Sequence, residues 1–115
     1  MQRPIQWTEI TKDNFSALAT PERAIVVVYA EWDLTSVYPL FGLDEPPMRL
    51  ALHEFRCTPF KFNITEDESY FALKQQFPDW KGGVGRVHLL EHGKFIAELD
   101  FRKVNQELQT RYGKK

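Results

Sequence analysis

From Ala24 to Ala30 the chain reads Ala-Ile-Val-Val-Val-Tyr-Ala, with no charged side chain. β-Branched residues in succession favour extended backbone. A run without polar alternation predicts a strand covered on both faces rather than one with a face to water. Such a strand belongs in the middle of a sheet, and the rest of the chain must provide a layer of helices on each side of it.

The flanking segments fit that requirement. Ile5 to Trp7 reads as a short strand. Thr11 offers a helix N-cap, with Phe15 and Leu18 on one face of a short helix that ends before Pro21. After Trp32, Asp33 can accept from the free amides of a first helical turn, and Trp32 and Val37 have the spacing of a hydrophobic staple. Pro39 should kink this helix, Gly42 weaken it, and Pro46-Pro47 break it before Met48 to Phe55 resumes; the proline pair could alternatively be a recognition element. Phe60 to Ile64 predicts the next strand, and Thr65-Glu66-Asp67-Glu68 a capping box for a helix carrying Tyr70, Leu73 and Phe77 and stopped by Pro78. Val84 to Leu90 and Phe95 to Leu99, joined by Glu91-His92-Gly93-Lys94, predict a hairpin. Phe101, Val104, Leu108 and Tyr112 stripe a last helix that stops at Gly113, with Gly113 to Lys115 as a frayed basic tail. The order is β-α-β-α-β-α-β-β-α. It belongs to the α/β class, a central mixed β-sheet flanked by helices.

At 115 residues the chain, 1–115, predicts a single domain, and 43% hydrophobic residues, with nine Phe and three Trp, suffice for its core. A net charge of -1 gives no field to attract nucleic acid or an anionic membrane, so neither is expected as a partner. No apolar run has signal-peptide or membrane-spanning length, and a cytoplasmic location is expected. The single cysteine, Cys57, excludes an internal disulfide and an all-thiolate metal site. It reads as a partly buried structural thiol or, alternatively, a redox sensor. His88 and His92 are four apart on a strand running into a turn, where that spacing does not converge side chains. With His53 they predict no metal site, and no cofactor is expected. Trp80, in the loop Phe77 to Gly83, is either an exposed contact aromatic or a core anchor.

Ala30-Glu31-Trp32 closes the buried strand and opens a helix, and Phe60-Lys61-Phe62-Asn63-Ile64 and Val87 to Lys94 follow in order. Across nearly the whole chain, apart from a small insertion near Leu43 to Pro47, this pattern resembles the thioredoxin-like family. The resemblance implies a thioredoxin-like fold, with departures where the family keeps its chemistry. Asp33 and Ser36 stand at the two cysteine positions of its Cys-Gly-Pro-Cys turn. Val27 takes the place of its buried acid, Lys61 keeps the lysine that accompanies that acid, and Gly85, in Val84-Gly85-Arg86, replaces its cis-proline. These losses imply a member without the CxxC motif and without dithiol exchange.

For Asp33, Thr35 and Ser36 plain helix capping stands beside a sharper expectation, a binding surface formed with Trp32, Gly85 and Arg86. In the family that face grips an extended peptide. Arg86 would either line this groove or close it by pairing with Asp33. The first functional expectation is therefore a non-catalytic interaction or scaffold module for a protein or peptide partner, with self-association as a further possibility. The alternative is an enzyme binding glutathione or another thiol substrate through Thr35 or Ser36.

Overall fold

The structure is a computed structural model describing residues 5–113; the last two residues of the expected basic tail lie outside it. Five strands form one sheet: β1 (Thr8–Ile10), β2 (Arg23–Tyr29), β3 (Cys57–Asn63), β4 (Arg86–Glu91) and β5 (Lys94–Leu99). Their spatial order is β1-β3-β2-β4-β5. The β-branched run is the central strand, parallel to β3 on one side and antiparallel to β4 on the other. β1 runs parallel to β3 and β5 antiparallel to β4, which makes the sheet mixed.

Alternation along β2 builds two cores. Val26 and Val28 join Phe60, Phe62, Leu90, Leu73 and Trp80 on one face. Ile25 and Val27 join Val87, Leu89, Leu52, Val104 and Leu108 on the other. The helices supplying these partners are α1 (Tyr38–Gly42), α2 (Pro46–Glu54), α3 (Asp67–Gln76) and α4 (Val104–Tyr112). Each buried Val, Ile or Leu contributes about 1.5–3 kcal/mol relative to exposure, so β2 anchors both layers. Trp80 is a core anchor, 2% exposed and tilted against Tyr70 at 5.4 Å.

Several elements depart from the sequence expectations. The first strand is Thr8–Ile10 rather than Ile5–Trp7, because Ile10 is the residue that enters the core, opposite Phe62. Residues 15–19 form a 3-10 helix behind Asn14, whose side chain accepts from the Thr11 amide, so Thr11 does not cap it. β3 begins at Cys57, three residues earlier than expected. Thr65 does not cap α3: its hydroxyl accepts from Glu31 N–H at 2.8 Å and donates to Asn63 Oδ1, tying the ends of β2 and β3 together. Pro46 and Pro47 lie within the first turn of α2, where a missing N–H costs no helical bond; the break falls just before them. No described helix is long and apolar enough to cross a membrane.

Candidate functional site

β2 ends at Tyr29, and the backbone turns through Ala30 and Asp33, whose N–H donates to the Ala30 carbonyl at 3.2 Å. A 3-10 helix, Leu34–Val37, starts there and runs directly into α1. Asp33 caps it as its position predicts: Oδ1 accepts from Thr35 N–H at 3.0 Å and from Thr35 Oγ1 at 2.7 Å. Ser36 is 1% exposed. Its Oγ accepts from Ala30 N–H at 2.9 Å and lies 2.6 Å from the Asp33 carbonyl and 3.0 Å from the Ala30 carbonyl, to which it can donate. The hydroxyl thus replaces strand partners that the end of β2 has lost. Both hydroxyls of this turn are consumed inside it, and neither is free for a ligand sulfur.

The loop before β4 comes to the same place. Gly85 donates to the Val28 carbonyl at 2.8 Å with φ +78, and a Cβ built on it would stand 3.2 Å from Ser36 Cα. The sheet therefore brings Gly85 against Ser36, from far along the chain. Proline does not fit this backbone: its ring fixes φ near -65° and it has no N–H for Val28. Arg86 turns away from Asp33. Its Nε donates to Glu98 Oε2 on β5 at 3.2 Å, so the groove edge is not closed by an Arg86–Asp33 pair.

Large apolar side chains face outward here. Trp32 is 65% exposed, Leu34 75%, Tyr38 58% and Phe41 70%. Ser36, Pro39 and Leu43, on the inner side, are buried. A short amphipathic segment ordinarily shows water its polar side; this one also shows water four large apolar side chains. Of the four outward residues, sequence reasoning singled out only Trp32. The signal for the others was present, since residues 37–43 contain no charged side chain.

Neither a family model nor any curated protein matches the chain. Solved structures do. Thioredoxin f2 of Chlamydomonas reinhardtii superposes with a TM-score of 0.69 at 16% identity, over 96% of this chain and 100% of that one. Spinach chloroplast thioredoxin f, short form, gives 0.63 at 16% identity, over 96% and 97%. The chain has a thioredoxin fold. Human ERp44 (form I) also matches, with a TM-score of 0.70 at 14% identity over 97% of this chain but 31% of ERp44.

In this thioredoxin fold the CxxC motif is absent, and one cysteine in 115 residues forms no internal disulfide. Val27, where the resemblance implied a buried acid, is fully buried among apolar neighbours. Lys61, beside it in register, reaches instead to Glu9 on β1 at 3.9 Å. Cys57 is buried at the start of β3, on the opposite face of the sheet from Val26 and Val28; burial pushes its thiol up to about 12, against a smaller lowering by Arg23. His88 is 2% exposed on β4, while His53 and His92 are exposed. No cluster of three His, Cys, Asp or Glu with metal-binding geometry occurs among the described residues.

Proposed function

We propose that the chain is a non-catalytic interaction module, a thioredoxin scaffold that binds a protein or peptide through the face led by Trp32 and has no thiol–disulfide oxidoreductase activity. The observation that carries this reading is the division of labour in the turn. Its polar groups are spent on one another, through Asp33, Thr35 and Ser36, while Trp32 and Leu34 face solvent. Contiguous exposed apolar surface of this kind marks interaction sites. Gly85 leaves backbone close to the turn, and Arg86 borders it as a half-exposed cation held by Glu98.

The alternative, a thiol-substrate enzyme, requires a hydroxyl available to sulfur, and those of Thr35 and Ser36 are engaged. The test is affinity capture from the native cells with the intact chain and Trp32→Ala, together with dithiothreitol-driven insulin reduction. A partner lost in the variant, and no acceleration of insulin reduction, are expected. Undiminished capture by the variant, or accelerated reduction, overturns the reading.

A further inference from the structure

We infer that the partner contacts a longer surface than the thioredoxin turn, the outer side of residues 32–41, and presents to it an apolar face flanked by lysine or arginine. This rests on the interaction reading above and specifies its partner.

The surface follows from helical geometry. The 3-10 helix Leu34–Val37 continues into α1 without a break. Tyr38 and Phe41, three apart on α1, are neighbours on its surface, and Leu34 precedes them in the 3-10 turn that leads into it. All three are exposed, and Trp32 extends the stripe at its start. Pro39 and Leu43 are buried on the inner side, so rotating the segment could not bury the outer residues without exposing the inner ones. Nothing among the described residues covers them.

The charges around the stripe fix the partner's chemistry. From residue 31 to residue 45 there are four carboxylates, Glu31, Asp33, Asp44 and Glu45, and no Lys, Arg or His. Asp44 is offset by Arg49 at 3.6 Å. Among the described residues, Glu31 and Asp33 accept from neutral groups, Asn63 and Thr35. Glu45 is exposed, and its side chain caps nothing. Arg86, in the facing loop, pairs with Glu98, and Arg102 pairs with Asp100, while Lys103 makes no ion pair among the described residues. Among the described residues the stripe is thus apolar along its length, with carboxylates that make no ion pair at its two ends, Glu31 and Asp33 at one and Glu45 at the other. A basic, apolar segment gains contact along the stripe and charge complementarity at its ends, whereas an acidic segment or an anionic membrane is repelled.

The probes are three labelled peptides of about 18 residues with one leucine face and flanks of lysine, glutamine or glutamate, titrated by fluorescence anisotropy. The lysine peptide is expected to bind at least about tenfold more tightly than the glutamate peptide, with the glutamine peptide between them. Phe41→Ser should weaken the lysine peptide about tenfold, whereas Phe71→Ser, at an equally exposed site on α3, should leave it unchanged. Asp33→Asn, which keeps the capping oxygen, combined with Glu45→Lys should narrow the difference between the peptides. Equal binding of all three peptides, or indifference to Phe41→Ser, overturns the inference. So does concentration-dependent self-association, or binding to phosphatidylserine vesicles, that Phe41→Ser abolishes, since a second copy or a membrane then covers the stripe. If no peptide binds while Trp32-dependent capture persists, the partner chemistry falls and the interaction reading stands. Loss of both removes both.

Discussion

Acid should unfold this protein earlier than its carboxylates alone require, because of His88. The imidazole lies on the central part of β4, 2% exposed, stacked on Phe95 at 4.7 Å, with no partner for Nε2 among the described residues. Burial lowers its pKa from 6.5 to about 4; Glu98 opposes this and Arg86 adds to it. The folded state therefore takes up the proton less readily than the unfolded chain. The stability contribution is complete above pH 6.5 and declines as the pH falls towards 4. At about 1.36 kcal/mol per pKa unit the full loss is about 3 kcal/mol, of which about 2 kcal/mol is spent by pH 5. That is a substantial share of the stability of a domain this size. Urea unfolding at pH 7, 6 and 5 measures it, with His88→Leu as the comparison. Leucine suits the apolar surroundings and does not titrate. The intact chain should lose about 2 kcal/mol more than the variant between pH 7 and pH 5. Equal losses in the two proteins would refute the reasoning, because the proton would then find His88 as accessible folded as unfolded.

Gly85→Ala should destabilise by about 1–3 kcal/mol, from a positive φ and a Cβ 3.2 Å from Ser36 Cα, and Gly85→Pro by more, since it also loses the bond to Val28; thermal melts decide both. Ser36→Ala leaves the buried Ala30 amide without its acceptor and should cost about 1–3 kcal/mol in urea unfolding while peptide binding at the stripe persists. Cys57 should react with Ellman's reagent at pH 8 only slowly in the native protein and fully in denaturant, because its thiol is buried and pushed up to about 12.

The parts of the fold legible from sequence are those set by local chemistry or dense apolar patterning. The β-branched run of β2 announced a doubly covered strand, Asp33 announced a cap, and the Glu91 to Lys94 turn announced the hairpin. The misread parts depend on tertiary competition. Thr65 looks like a capping residue until the end of β2 claims its hydroxyl. The place of the first strand depends on whether Ile10 or its predecessors reach the core opposite Phe62. Whether Arg86 faces Asp33 or Glu98 depends on the adjacency of β4 and β5, which local spacing does not encode. At the site, Trp32, Asp33 and Gly85 could be named in advance because a resemblance fixed their slots. Leu34, Tyr38 and Phe41 could not, because apolar residues at helical spacing normally point inward, and only the burial of Ser36, Pro39 and Leu43 on the other side shows that these do not.

The most direct test of a partner surface led by Trp32 is site-specific photocrosslinking in the native cells. A benzophenone amino acid is placed at position 32, at position 41, or at position 71 as an equally exposed aromatic control on α3. A common adduct from positions 32 and 41, absent from position 71, is expected. Labelling no stronger at 32 and 41 than at 71 would contradict the proposal that this face is where the protein acts.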